Sequence, residues 1–242
     1  MLTKETIIIL SLLFLIIYFI ITKFLKKKKL KNYENYNDNE NTITFIIPTI
    51  GRKSLRKSIK SIQNQTITNW EAIIIFDGIK SNIKIDDDRI KIIEIEKKGQ
   101  NKNSAGDVRN VGMKMAKSKW IAFLDDDDFI VNDYIESFYK ELNITNNLDV
   151  LIFRMIYSDG VIYPELKTDN FYVGHVGISF VIKKKLIDEG LLFEPSDIED
   201  FKYLNKIREN KNKMVISPFI KYMVDKKNRD ANKYIGNRVI IN

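Results

Sequence analysis

Three short runs of β-branched and aromatic residues do most to limit what this chain can fold into: TITFIIP at 42–48, WEAIIIF at 70–76 and WIAFL at 120–124. Each is closed by a proline, a turn or a block of charge, and each reads as a buried strand. Between them Leu55, Ile59 and Ile62 recur at helical spacing, and Val108 to Met115 reads as a second helix. Arg89 to Ile95 alternates as a further strand. Strands alternating with helices predict an α/β fold whose central sheet is mostly parallel and covered by helices on both faces. Such sheets bind ligands beyond the carboxyl ends of their strands. Asp77 lies at one such end, and the run Asp125-Asp126-Asp127-Asp128 lies at another.

Ahead of this region, Thr6 to Thr22 carries no charge, and Phe24 and Leu25 extend the apolar run past Lys23. About twenty helical residues span roughly 30 Å, the thickness of a hydrocarbon core. A cleaved signal peptide would be shorter and would end in small residues, whereas this sequence runs on into FLKKKKLK. The expectation is a single transmembrane anchor over 1–25, a polybasic and polar linker over 26–41, and a globular domain over 42–242. Six lysines fall between Lys23 and Lys31, and without them the net charge drops from +8 to +2. Lysines flanking a span stay on the cytoplasmic side, which predicts a single-pass membrane protein with its domain facing the cytoplasm. The cluster adjoins lipid headgroups and lacks interleaved aromatics, so nucleic acid is not an expected partner.

The chain has no cysteine and one histidine, His175. Disulfides, thiolate zinc sites, a cysteine nucleophile and multi-histidine metal centres are therefore excluded. Any bound metal has mainly oxygen ligands, as magnesium, manganese and calcium prefer. Four adjacent carboxylates at a strand end suit such a cation, although an acidic run is also a common solvated turn.

From Thr42 onward the chain resembles the family-two inverting glycosyltransferases, enzymes of nucleotide-diphospho-sugars with the Rossmann-like GT-A fold. The matching pieces are TFIIPTIGR, LRKSIKSIQNQTITNWEAIIIFDG and NSAGDVRNVGMKMAKSKWIAFLDDDD. The resemblance is close over 42–132, the expected nucleotide-sugar-binding half, and looser over 133–242, the expected acceptor-side half. It implies that Asp125 and Asp127 form the D-x-D pair with Asp126 as spacer, Asp125 meeting the ribose or the metal and Asp127 the metal. The shifted pair Asp126 and Asp128 is the alternative register. Pro48, Thr49 and Asp77 would meet the nucleotide base, and Arg109 would lie near the nucleotide. Where the family often has two acids at the end of the second strand, Phe76 stands in the first position.

Further on, GISFVIKKKLIDEGLLFEPSDIEDFKYLNKI resembles the acceptor-side region, in which a Glu-Asp pair opens a helix. Glu199 and Asp200 match that pair, with Asp200 as general base and Asp197 as its substitute. Acids in a first helical turn also have a plainer role, complementing the helix dipole. His175 is a candidate for shaping the acceptor site. The resemblance thus implies a Mn2+- or Mg2+-dependent inverting transferase. Its donor would be a nucleoside-diphosphate sugar, a UDP-sugar before others, and its acceptor a glycan, a protein or a lipid carrier. The competing expectations are a noncatalytic glycosyltransferase-like membrane protein that binds nucleotide or glycan, and a lipid-binding scaffold.

Overall fold

In a computed structural model of the chain, residues 13–21, 42–98, 105–224 and 235–241 are described. The chain divides into two units, Met1–Asn39 and Glu40–Asn242. In the first, residues 13–21 form helix α1, whose apolar side chains from Leu13 to Ile21 are exposed. Nine helical residues rise about 13 Å, well short of a hydrocarbon core. Among the described residues no helix is long and apolar enough to cross a membrane. The remainder of the expected anchor 1–25, and the whole of the linker 26–41, lie outside the described residues.

The second unit runs β1 (Ile43–Thr49), α2 (Leu55–Gln63), β2 (Trp70–Asp77), β3 (Ile90–Ile95), α3 (Ala105–Met115), β4 (Trp120–Phe123), β5 (Phe129–Ile130), α4 (Tyr134–Ile144), β6 (Val150–Ile156), β7 (Ile162–Tyr163), β8 (Phe180–Lys183), α5 (Lys184–Asp188), α6 (Glu199–Glu209), β9 (Met214–Met223) and β10 (Val239–Ile241). The strands form one sheet in the order β10-β9-β6-β8-β4-β1-β2-β3, with β5 added to β9 and β7 to β6. The strands expected from the isoleucine-rich runs fall where the sequence places them. Their central residues Ile43, Phe45, Ile46, Ile47, Ile74 and Ile75 are fully buried. Each such side chain contributes roughly 1.5–3 kcal/mol on leaving water, which makes this sheet the main source of stability. Neither α2, α4 nor α6 has a side-chain hydrogen bond at its N-cap, so packing rather than capping holds these helices.

The sheet is mixed, which corrects the mostly parallel arrangement expected from the alternation of strands and helices. β3, β2, β1 and β4 run parallel to one another, and β6 is parallel to β9. Strand β8 is wedged between β4 and β6 and runs against both. The reason lies in the connection. After β6 the chain turns back through β7 and returns by the irregular stretch 164–179, with no crossover helix to carry it to the starting end of the sheet.

Helices cover both faces as expected. On one face the Phe45 ring lies 5.8 Å from that of Tyr134 in α4. On the other, α3 comes so close that a Cβ on Gly112 would fall 2.7 Å from both Ile46 Cγ2 and Ile75 Cδ1. A side chain larger than hydrogen at 112 must therefore push α3 off the sheet. Gly112→Val is expected to lower the unfolding free energy by about 2 kcal/mol or more, measured as a reduced urea midpoint at unchanged m-value.

Candidate active site

The chain visits β1, β2 and β3 in one direction along the sheet and then returns to place β4 on the other side of β1. This reversal is the topological switch point, where the strands' carboxyl ends leave a crevice. Proline widens it. Pairing of β1 with β4 ends at Ile46↔Phe123, after which the Leu124 N–H donates to the Ile46 carbonyl at 3.1 Å. The next parallel bond would come from the N–H of residue 48, and Pro48 has none. Pairing between the two strands stops there, and Thr49 and Asp125 stand at their ends.

The four aspartates form a tight turn, closed by the Asp128 N–H donating to the Asp125 carbonyl at 3.2 Å. Their burial alternates. Asp126 and Asp128 are buried, whereas the Asp125 and Asp127 side chains are 35% and 46% exposed. Asp126 is consumed by the protein, accepting from Thr49 Oγ1 at 2.6 Å and from Arg52 Nη1 at 2.8 Å. Burial pushes its carboxyl up, opposed by those two partners. Asp128 is held through its carbonyl by Ser58 Oγ at 2.7 Å and through its side chain by Tyr222. The Tyr222 hydroxyl also accepts from the Asp125 N–H at 3.1 Å. Side chains from β1, α2 and β9, together with the loop that follows β1, therefore fix a turn that presents Asp125 and Asp127 outward.

Arg109 of α3 lies behind this turn and is almost wholly buried. Its Nη2 donates to Asp125 at 2.6 Å and its Nη1 to Glu199 at 2.5 Å, while Asp200 Oδ1 is 3.9 Å away. Burial alone would lower the guanidinium pKa, but Asp125, Asp200 and Glu199 together hold it above its ordinary value. The two acids arrive from the first turn of α6, which an aromatic cluster seats on the sheet. Phe193 stacks on Tyr203 at 4.0 Å and meets Phe123 edge-on at 5.5 Å, and Phe180 lies against both Phe193 and Tyr203.

The two neighbours in α6 have different surroundings. Both Glu199 oxygens are occupied, Oε1 by Arg109 and Oε2 by the Gly106 N–H at 2.9 Å. Asp200 is 28% exposed, and its buried Oδ1 has no hydrogen-bond partner. Desolvation pushes Asp200 up to about 7, only partly offset by Arg109, and Asp125 and Glu199 add to the rise. A buried carboxylate oxygen without a partner is unusual in a folded protein and costs about 1–3 kcal/mol. Such groups concentrate where chemistry is done.

The other expected residues are spread around this centre. Asp77 is buried at the end of β2, where its Oδ1 accepts from the Lys98 N–H at 2.7 Å. Phe76 is fully buried in the core, on the opposite side of the strand from Asp77. Thr49 is spent on Asp126 and on the Gly51 N–H, and Pro48 is buried beside it. Asp197 is exposed. His175 stacks on Tyr163 at 4.6 Å and pairs with Glu165. Tyr163 in turn meets Tyr157 at 5.7 Å. Burial first, then Asp128 and Asp200, pushes the Tyr157 phenol up, so this aromatic group borders the acids.

The profile of Glycosyl transferase family 2 matches residues 44–197, which include both strand ends of the crevice. The chain belongs to this family. Among similar proteins, glycosyltransferase GlyA of Streptococcus pneumoniae is 29% identical over 55% of this chain and 20% of its own length. The poly(ribitol-phosphate) β-N-acetylglucosaminyltransferase TarP of Staphylococcus aureus is 28% identical over 76% of this chain and 54% of its own. The chain thus spans about half or less of the length of these relatives. Among solved structures, S. aureus TarS 1-349 in complex with UDP-GlcNAc superposes with a TM-score of 0.60 at 18% identity, covering 79% of this chain and 60% of that one. At that identity the likeness establishes the GT-A-like fold.

Within this family-2 domain, Arg52, Tyr222 and Tyr157 are site residues that sequence reasoning missed. Arg52 had a faint signal, the Gly-Arg that follows the first strand. The two tyrosines had none, since they reach the acids through β9 and β6. The donor set suits a hard divalent cation. Oδ2 of Asp125 and Oδ1 of Asp127 take no hydrogen bond within the described residues. Among the described residues no group of three or more Asp, Glu, His or Cys is placed to hold a metal ion, so the outward carboxylates of Asp125 and Asp127 would need further oxygen ligands from outside the protein.

Arg109 is the charge that keeps three carboxylates together. Arg109→Met is expected to destabilise the fold by roughly 3–5 kcal/mol in denaturant titration, because it leaves buried anions unpaired. Adding Glu199→Gln should recover part of that loss, and a double variant no more stable than the single one would contradict this account of the cluster.

Proposed function

We propose that this chain is an inverting glycosyltransferase that takes a sugar from a nucleoside-diphosphate sugar, a UDP-sugar before others, and transfers it to an acceptor hydroxyl or lipid phosphate. The observation that carries the reading is Asp200, a carboxylate with a buried unpartnered oxygen that shares the Arg109 cluster with Asp125 of the acid turn. The UDP-GlcNAc bound to TarS and the N-acetylglucosaminyl transfer in TarP's name support a UDP-sugar donor. The alternating burial of the acid turn supports Asp125 and Asp127, rather than Asp126 and Asp128, as the residues that face the donor.

In this mechanism the diphosphate lies against the acid turn and the nucleoside lies toward Pro48, Thr49 and Asp77. Asp200 accepts the proton of the acceptor hydroxyl as that oxygen bonds to the anomeric carbon. The bond from that carbon to the diphosphate oxygen breaks on the opposite face, and the diphosphate leaves with the electron pair. Arg109 and Glu199 do not touch the reacting atoms; they fix α6 against α3 and so position Asp200. A divalent cation, Mn2+ or Mg2+, held by Asp125 and Asp127 would supply charge stabilisation for the leaving diphosphate. Tyr157, Tyr163 and His175 form the aromatic flank beside which the acceptor enters. The apolar run 6–25 and its lysines would tether the domain to a membrane on its cytoplasmic side. The burial of Phe76 in the core, on the opposite side of the strand from Asp77, speaks against the noncatalytic alternative.

A base with a pKa of about 7 must be ionised to act, so transfer should fall about tenfold per pH unit below 7 and level off above it. Asp200→Asn should lower transfer by about 10²–10⁴-fold while binding UDP within about twofold of the wild type. Normal transfer by that variant would remove Asp200 from the role. Asp127→Asn should weaken UDP binding in manganese by about tenfold and abolish its sensitivity to chelator. Calorimetry showing UDP affinity indifferent both to chelator and to that substitution would remove the metal from the reading.

A further inference from the structure

We propose that Arg52 is the residue that grips the donor's diphosphate. The inference rests on the nucleoside-diphosphate reading of the site and names the side chain that recognises its most charged part. Gly51, at φ 80°, turns the chain sharply after β1 and brings Arg52 back over the acid turn. There Nη1 binds Asp126 at 2.8 Å and Asp127 at 3.2 Å, while the side chain stays 50% exposed. Because Asp126 is buried and also held by Thr49, the guanidinium is anchored rather than free to swing into solvent. Its Nε and Nη2 make no hydrogen bond within the described residues.

Charge balance points the same way. A divalent cation on Asp125 and Asp127 would offset only those two carboxylates, so the diphosphate's own charge still calls for a cationic partner from the protein. Of the two arginines that pair with the acid turn, Arg109 is buried with both terminal nitrogens committed to carboxylates. Arg52 is the one with open donors on the exposed side. A planar guanidinium presents its N–H groups as a fork that matches two phosphate oxygens, which a lysine in the same place could meet only as a point charge. In the absence of donor, the contact from Arg52 to Asp127 also neutralises the outward carboxylate. Diphosphate binding would draw the fork off Asp127 while Asp126 keeps the side chain in place.

The test compares nucleoside diphosphates with their parent nucleosides, using the full-length chain and ligand-observed NMR titration of UDP, GDP and uridine against the wild type, Arg52→Gln and Arg52→Lys. Arg52→Gln should bind UDP at least about tenfold more weakly, and uridine within about twofold of the wild type. Arg52→Lys keeps a charge on Asp126 and should lose about threefold for UDP; it carries the test alone if circular dichroism shows Arg52→Gln unfolded. UDP affinity unchanged in both variants, or uridine affinity lost in step with UDP, would overturn the assignment to Arg52 alone. A wild type that binds neither UDP nor GDP would overturn the nucleoside-diphosphate reading, and this inference with it.

Discussion

One buried guanidinium organises this domain's functional end. Arg109 has two terminal nitrogens and three carboxylate neighbours, Asp125, Glu199 and Asp200. It bonds Asp125 and Glu199 directly and leaves Asp200 at 3.9 Å. Burial raises the pKa of Asp200, and the shortfall leaves that rise only partly offset. A carboxylate that is largely withdrawn from water, lacks a hydrogen bond and sits among two other anions holds its proton to near neutrality. A second cation at this place would bring the Asp200 pKa back toward the ordinary carboxylate range and make it a weaker proton acceptor. The same residue thus braces β4, α3 and α6 and sets the protonation range of the group it does not fully satisfy.

The remainder of the crevice is made by strand ends that part at Pro48. Where β1 can no longer bond to β4, side chains replace backbone: Thr49 and Arg52 reach across to Asp126. These contacts do for the acid turn what a continued ladder would have done, and they fix which aspartates face out. Successive residues of the turn alternate between protein and crevice. A turn shifted by one residue would send Asp126 outward and bury Asp125, breaking its bond to Arg109.

Much of this was legible in the sequence because isoleucine-rich runs report burial strongly. Ile43–Thr49, Trp70–Asp77 and Trp120–Phe123 appear as expected, and the acids at their ends are placed by the same logic. Strand direction was not legible. The run at 180–183 is apolar in either orientation, and only its short return path makes β8 antiparallel. Arg52, Tyr157 and Tyr222 were missed because their partners lie far along the chain, Tyr222 being 97 residues from Asp125. The apolar run near the start shows the converse limit. Composition marked residues 6–25 as a span, whereas the part described, 13–21, is a nine-residue helix too short to cross a hydrocarbon core.

The division of labour between Glu199 and Asp200 has a geometric origin that no motif could show. Adjacent residues of a helix point about 100° apart, so two successive acids in a first turn cannot meet the same donor equally closely. In α6 the first points at α3, where the Gly106 N–H and Arg109 take both its oxygens. The second is left 3.9 Å from Arg109, with no hydrogen bond from the donors that satisfied the first. An acid pair at the start of this helix therefore yields one carboxylate that holds the structure and one that remains available. Which is which depends on the rotation of α6 about its axis, and the aromatic packing of Tyr203 against Phe193 and Phe180 fixes that rotation. Which of the two acids stays unpartnered is thus decided three residues along the helix, at a contact in the core.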